Sequence, residues 1–136
     1  MPIYQIQLKA QKPNRKPYPK ELNTYDEHLR KKRLDLNLSQ PQVAKIINVT
    51  TDSITNWELN RNNPELKYIP QIISFLEYTP TIEKNEIKRY RIEKGITQKE
   101  LAIILKIDPT TLSRIEKGIG KITKKVKIKI NERIKF

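Results

Sequence analysis

The chain contains an internal repeat, and this repeat constrains its fold more than any other feature. Shifted by 58 residues, the segment Leu29–Leu76 aligns with Ile87–Ile134 without a gap. Apolar residues coincide throughout the alignment, which indicates that both segments bury the same positions. Identical pairs include Arg33/Arg91, Gln40/Gln98, Ala44/Ala102, Ile46/Ile104 and Glu58/Glu116, and apolar pairs include Leu29/Ile87, Leu34/Ile92, Val43/Leu101, Ile54/Leu112 and Ile72/Ile130.

The first unit is predicted to contain four short helices. The first helix spans Tyr25 to about Leu36. The second begins after Ser39, where Gln42 completes a capping box. The third runs from Thr51 to Leu59 and the last from about Leu66 to Tyr78. The unit is therefore predicted to be a small helical bundle.

The second unit repeats these signals. Thr97 and Glu100 form the same capping box, and Asp108 followed by Pro109 is a strong helix start, since proline suits the first turn. The last helix covers about Lys124–Lys135. Within this segment Val126, Ile128 and Ile130 alternate with lysine, which is also a strand pattern. Apolar residues that recur every four positions favour a helix instead; these are Ile122, Val126, Ile130 and Ile134.

Apolar spacing predicts which faces are buried. The stripes Val43, Ile46, Ile47 and Leu101, Ile104, Leu105 follow an i, i+3, i+4 pattern. Leu29 and Leu34 should point inward from the first helix. In the third helix of each unit the inward residues are Ile54 and Trp57, and Leu112 and Ile115.

Two stretches carry a resemblance to a known family: RKKRLDLNLSQPQVAKIINVTTDSITNWELNR and KRYRIEKGITQKELAIILKIDPTTLSRIEKG. Both resemble the lambda-repressor-like, Cro/repressor-type helix-turn-helix family, also called the xenobiotic-response-element family. The second stretch keeps nearly the whole motif. The first has Asn37, Asn48 and Asn60 at turn positions, two of which are glycine in the second. Asparagine tolerates a positive φ best among non-glycine residues. The resemblance implies an all-α fold of two tandem units.

The resemblance also implies a DNA interface, with recognition helices at about 51–59 and 109–117 in the major groove. Gln40 and Gln98, at the start of the preceding helices, are placed near phosphates, because a helix N-terminus attracts anions. Base contacts are expected from Thr50, Thr51, Asp52, Thr55 and Asn56 in the first unit and from Asp108, Pro109, Thr110, Ser113 and Arg114 in the second. Phosphate contacts are expected from Arg61, Lys117, Lys121 and Lys124.

Several of these residues also have a structural interpretation. Glu58 and Glu116 are predicted to pair with Arg33 and Arg91 rather than to contact DNA. Asp108 is more readily explained as a helix cap, and Trp57 as a core residue. His28 has no partner at metal-binding spacing and is predicted to be an ordinary surface residue. The lysines from Lys121 to Lys135 suit either phosphate contact or a solvated face.

Composition supports a nucleic-acid partner. The net charge of +13 and pI of about 9.9 favour binding to a polyanion. The absence of cysteine excludes disulfides and thiolate metal sites. Because the chain also has a single histidine and no glycine-rich phosphate loop, we expect neither an enzyme nor a cofactor. The sequence contains no apolar run of about eighteen residues, the length needed to span a membrane, and the N-terminus lacks a secretory signal. We therefore expect a cytoplasmic, nucleoid-associated protein.

The predicted organisation has four parts. Residues 1–24 form a basic, proline-rich arm that is expected to be flexible, with a weak strand pattern at Tyr4, Ile6 and Leu8. Residues 25–78 form the first unit, 79–81 a linker and 82–136 the second unit. So short a linker requires the two bundles to lie side by side.

The sequence is consistent with two other functions as well. The same fold could serve as a protein-interaction module, such as an antitoxin or an accessory factor, or as an RNA-binding adaptor. Because the outward residues of the two third helices differ, a DNA target would be composite and non-palindromic. The chain could also form a homodimer, as many repressors do.

Overall fold

A computed structural model describes residues 18–19 and 21–134. Within these ranges the protein is entirely helical and forms two successive helical bundles, as predicted. The strand alternative for the last segment is wrong, because this segment is a helix that buries Ile130. The α-helices are α1 Tyr25–Asp35, α2 Gln40–Ile47, α3 Thr51–Glu58, α4 Ile69–Leu76, α5 Glu86–Lys94, α6 Gln98–Leu105, α7 Pro109–Lys117 and α8 Lys124–Arg133; a 3₁₀ helix, Leu66–Tyr68, precedes α4.

Local capping signals determine where the helices begin. Both predicted capping boxes are present, at Ser39 with Gln42 and at Thr97 with Glu100. The backbone N–H of Thr97 donates to the Glu100 carboxylate at 2.8 Å, and this bond lowers the pKa of Glu100. Asp108 caps α7, accepting a hydrogen bond from the Thr110 N–H at 2.7 Å. The structural role predicted for Asp108 is thus confirmed.

The backbone follows the same path through the turns of both units. Asn37, Asn48 and Asn60 all have positive φ, as predicted, at 56°, 67° and 58°. Their counterparts at the 58-residue offset also have positive φ; these are Gly95, Lys106 and Gly118, at 70°, 57° and 71°. The repeat therefore extends from the sequence to individual backbone dihedrals.

Glu77 offers a test of this backbone strain. It ends α4 with φ 65° and is exposed, and left-handed geometry costs a non-glycine residue about 1–2 kcal/mol. Glu77→Gly is expected to raise the free energy of unfolding by about 0.5–1 kcal/mol, because relief of strain exceeds the entropy that glycine adds to the unfolded chain. Chemical denaturation followed by circular dichroism measures the change.

Glu65 is the matched control for Glu77. It is also an exposed glutamate, but its φ is −64°. Glu65→Gly should therefore lower stability by about 0.5–1 kcal/mol, since the entropic cost remains without any relief of strain. The exposed pair of Glu65 with Lys67 should contribute little. Equal effects of the two substitutions would contradict the proposed strain at Glu77.

Each unit has its own hydrophobic core. Leu29, Ile54 and Trp57 are buried in the first core, and Leu112 and Ile115 in the second, as predicted. The full clusters are Tyr25, Leu29, Val43, Ala44, Ile47, Ile54, Trp57, Ile69, Ile72 and Leu76, and Ile87, Leu101, Ala102, Leu105, Leu112, Ile115, Ile130 and Ile134.

Burial predictions for four residues need correction. Ile46 and Ile104 are 57% and 46% exposed, although the stripe pattern placed them inside. The small residues Ala44 and Ala102 face the core in their place, and this turns the isoleucine one position before Ile47 or Leu105 toward solvent. Ile122, predicted to continue the α8 stripe, lies before that helix and is exposed, while Leu34 is only half-buried.

The two bundles lie side by side, in agreement with the short linker. Helix α4 packs against α5. Ile82 and Ile92, from the second half of the chain, pack on the core of the first unit. Pro80, in the linker that follows α4, is buried. No helix within residues 18–19 and 21–134 is long and apolar enough to cross a membrane. Residues 1–17 and 20 of the predicted arm, including Tyr4, Ile6 and Leu8, lie outside the described residues.

Candidate nucleic-acid interface

Two equivalent helix pairs carry the predicted site. Helices α2 and α3 pack together in the first unit, and α6 and α7 in the second. Ala44 and Ala102 are buried at 3% and 1% exposure, and their small side chains permit close approach of the paired helices. Gln40 and Gln98 are the first residues of α2 and α6, where the sequence placed them.

In the first unit a buried ion pair holds the end of α3. Arg33 donates from Nε and Nη2 to the two carboxylate oxygens of Glu58, at 2.6 and 2.7 Å. Its Nη1 donates to the Leu38 carbonyl at 3.0 Å. Gln40 donates to Glu58 at 3.1 Å and accepts from the Thr55 hydroxyl at 2.9 Å. This network joins α1, α2 and α3.

The second unit repeats the ion pair and its glutamine contact. Arg91 donates from Nε and Nη2 to Glu116, at 2.7 and 2.9 Å, and from Nη1 to the Ile96 carbonyl at 3.2 Å. Gln98 donates to Glu116 at 3.0 Å. The structural pairing predicted for both glutamates is therefore confirmed. The glutamine contacts were missed, because sequence reasoning considered only a phosphate partner for Gln40 and Gln98.

The outward face of α3 presents the residues predicted to contact bases. Thr50, Thr51 and Asp52 are exposed, while Thr55 and Asn56 are half-buried. Thr50 caps α3 by accepting from the Ser53 N–H at 3.1 Å. Because the Thr55 hydroxyl is bonded to Gln40, its methyl group is the part left for an outside contact. The Asn56 side-chain oxygen accepts from Arg61 at 3.3 Å.

The corresponding face of α7 is more open. Asp108, Pro109, Thr110 and Arg114 are exposed, and Ser113 is half-buried. Asp108 already accepts a backbone hydrogen bond as the cap. Arg114 forms no ion pair within the described part of the chain. Its guanidinium can therefore meet an outside acceptor without breaking an internal contact.

The family comparison agrees with this geometry. A model of a helix-turn-helix family matches the chain twice, at residues 29–82 and 87–134, which together make up most of its length. The chain belongs to this helix-turn-helix family. Such domains are DNA-binding regulators. Comparisons with curated proteins and with solved structures gave no match.

Positive charge is concentrated on the second helix-turn-helix unit. Arg61, Lys117, Lys121 and Lys124, the predicted phosphate contacts, are all exposed. From residue 117 to 131 the chain has no acidic residue, whereas the equivalent stretch of the first unit includes Glu65. The lysines of the second stretch are Lys117, Lys121, Lys124, Lys125, Lys127 and Lys129. Sequence reasoning considered the last three only as part of a lysine-rich tail.

One of these lysines has an internal partner. Lys129 donates to the carbonyl of Lys106 at 2.8 Å. Lys106 ends α6 in the turn that leads to α7. This bond ties α8 to the turn between the paired helices. Among the described residues, the other five lysines form no such bond.

His28 joins the first helix of the first unit to its surroundings. Its ring nitrogens lie 2.7 Å from the Tyr78 hydroxyl and 3.2 Å from the Leu22 carbonyl. Burial lowers the pKa of His28, which favours its neutral form. The part of the chain described by the structure holds no cluster of three potential metal ligands. The contacts of His28 are those of a structural residue.

Proposed function

We propose that this protein is a transcriptional regulator that binds double-stranded DNA by sequence. Helices α3 and α7 would enter the major groove, while α2 and α6 brace against the backbone. The observation that carries the proposal is the repeated architecture of each unit. A short helix buries one face, presents exposed polar residues in its first turn, and is fixed at its other end by the Arg33–Glu58 or Arg91–Glu116 ion pair.

Base contacts are assigned by side-chain chemistry. Arg114 suits the O6/N7 edge of guanine, and Asn56 suits the N6/N7 edge of adenine. Threonine methyl groups at Thr51 and Thr55 suit the thymine methyl. The helices present different residues at equivalent positions, so the proposed target is composite. The remaining assigned base contacts are Thr50, Asp52, Pro109, Thr110 and Ser113.

Phosphate contacts would flank these base contacts. The exposed lysines after α7 lie where the backbone would pass, and neutralising phosphate charge relieves repulsion among them. Gln40 and Gln98 are proposed to act mainly through position. Their amides bond to Glu58 and Glu116, which leaves the backbone N–H of each glutamine itself for a phosphate. Pro41 has no N–H, and the Gln42 and Glu100 N–H groups already donate to the caps.

Selection from a random duplex pool tests the proposal directly. The full chain is incubated with the pool at near-physiological salt, and bound sequences are recovered and compared. We expect a defined motif whose two halves differ. Recovery of no motif would count decisively against regulation by sequence recognition. Competition by structured RNA that duplex DNA cannot reverse would favour the RNA-binding alternative.

Arg114→Ala examines the base contact assigned to α7. The substitution is expected to cost about 1–3 kcal/mol of binding free energy and to relax preference at one base pair. Because Arg114 forms no ion pair with any described residue, stability should hardly change. Affinity is measured for the preferred duplex and for single-base variants. Equal weakening on all duplexes would mean that Arg114 contacts phosphate instead.

Lys124→Ala provides the contrasting case. Loss of one phosphate contact should weaken binding to all sequences alike, and should reduce the slope of log affinity against log salt by about 1. Base preferences should stay unchanged. Titrations at several salt concentrations measure the slope. A changed base preference with an unchanged salt slope would mean that Lys124 does not contact a phosphate.

A protein-interaction module is the second candidate function. An open groove of about 390 Å³ on the first unit is lined partly by apolar side chains, including the exposed Leu36 and Ile46 and the half-buried Leu38 and Phe75. Such a module would show neither a preferred DNA sequence nor the steep salt dependence expected of DNA binding.

A further inference from the structure

The contact between the two units is head-to-tail. The last helix of the first unit, α4, packs on the first helix of the second unit, α5. Pro70 on α4 lies against Gly95, so closely that a β-carbon added at Gly95 would fall 2.9 Å from the proline ring. Ile82 and Ile92 complete the contact on the core of the first unit.

The reciprocal contact is missing from the described residues. A two-fold relation would place the counterparts of Pro70 and Gly95 together as well, and these are Ile128 and Asn37. Both are exposed instead, Ile128 at 48%. Leu34, the counterpart of Ile92, is not among the residues packed on the second core. The units therefore use different surfaces, which defines a heterologous interface.

The type of interface bears on the DNA target. In dimeric repressors the palindrome of the operator mirrors the two-fold axis of the protein. Heterologous contacts instead generate rings or helical arrays. In a helical array that follows the DNA axis, successive units face the same way along the DNA. Resting on the proposed DNA-binding function, we infer that the target carries its two half-sites in the same orientation, as a direct repeat.

The natural target cannot reveal this orientation. Because α3 and α7 present different residues, its two half-sites differ in sequence, and their relative orientation cannot be read from them. A variant with identical surfaces on both helices removes the difficulty. Asp108 and Pro109 already start α7 as cap and first residue, so the same pair should start α3. Serine at position 55 retains the hydroxyl that bonds to Gln40. The five substitutions are Thr50→Asp, Thr51→Pro, Asp52→Thr, Thr55→Ser and Asn56→Arg.

The experiment is selection from a random duplex pool with this variant of the full chain. We expect one half-site recovered twice in the same orientation at a constant spacing. Inverting one half-site in a synthetic duplex should then weaken binding by about tenfold to hundredfold. An inverted repeat, or a single half-site, would overturn the inference. If the wild-type chain yields no motif, the proposed function fails instead.

The reciprocal variant guards against misfolding. It gives α7 the surface of α3 through Asp108→Thr, Pro109→Thr, Thr110→Asp, Ser113→Thr and Arg114→Asn. Circular dichroism verifies that each variant is folded before selection. The reciprocal variant should recover the other half-site, again twice in one orientation. A direct repeat with one variant and an inverted repeat with the other would also overturn the inference, since both share the same α4–α5 contact.

Discussion

Replacing Glu116 with alanine is expected to lower the free energy of unfolding by about 3–5 kcal/mol, because it leaves the charge of Arg91 buried and unpaired. The side chains of Arg91 and Glu116 are only 10% and 2% exposed. Glu116 receives two hydrogen bonds from Arg91 and one from Gln98, so its removal also strands the amide of Gln98. Urea denaturation followed by circular dichroism measures the loss.

Two further variants show whether the loss comes from the uncompensated charge. The double variant Arg91→Met, Glu116→Leu removes both charges and should recover much of the stability, since apolar replacement of a buried pair is often neutral. Asp35→Ala breaks the pair with Lys31, whose side chains are 43% and 44% exposed. This exposed pair should contribute little, so its loss should leave the denaturation midpoint nearly unchanged.

The result that would contradict this account is additivity. If the losses of stability in the single variants Arg91→Met and Glu116→Leu add up to the loss in the double variant, the two side chains do not stabilise each other. The first unit offers an independent repetition. Glu58→Ala should also be strongly destabilising, because Arg33 is bonded to Glu58 and Arg30 lies 3.9 Å from it.

Features set by neighbouring residues could be predicted from the sequence. The capping boxes depend on side chains three residues apart, and the positive φ angles depend on the preference of asparagine and glycine for that region. Both therefore appeared where expected, at Ser39 and Thr97 and at Asn37, Asn48 and Asn60. Alignment of the two units strengthened these predictions, since each copy tested the other.

Features set by three-dimensional packing were harder to predict. The stripe pattern assigned Ile46 to the core, because an i, i+3, i+4 pattern treats every apolar residue alike. The structure buries Ala44 and leaves Ile46 exposed instead. Burial of a small residue carries little apolar signal, so hydrophobicity alone gave no indication of this arrangement.

The same limit applies to the candidate site. Sequence chemistry selected exposed polar residues on α3 and α7, and the structure places Thr51, Asp52 and Arg114 at the surface. The hydrogen bonds of Gln40 with Thr55 and Glu58 span 15 and 18 residues. No short motif contains such a pair. Only the coincidence of Gln40/Gln98 and Glu58/Glu116 in the alignment could have suggested that they act together.

The sequence predicted that the two units are in contact, but not which helices form the contact. A short linker required the bundles to be neighbours, yet it did not indicate that α4 would pack on α5. In the sequence, Gly95 marks only a turn of the motif, as the counterpart of Asn37. The structure adds that Pro70 occupies the space beside it, so this position serves both the turn and the interface.

Gly95→Ala is therefore expected to be the more damaging of two matched substitutions. Gly95 and Gly118 end α5 and α7 with φ of 70° and 71°. Alanine at either position suffers the same left-handed strain, about 1–2 kcal/mol. At Gly95 the new β-carbon would also lie 2.9 Å from Pro70 and 3.1 Å from the Leu66 carbonyl, while at Gly118 it would have no atom of the described residues within 4 Å. Overpacking of this kind costs about a further 1–3 kcal/mol.

Denaturation of the two variants under the same conditions separates strain from steric conflict, since only the second differs between them. Gly95→Ala should also disturb the relative position of α3 and α7, and so reduce affinity for a duplex carrying both half-sites more than for one carrying a single half-site. Gly118→Ala should show no such difference. Equal losses of stability would mean that α4 and α5 can separate at no cost. A direct-repeat preference could not then be attributed to that contact.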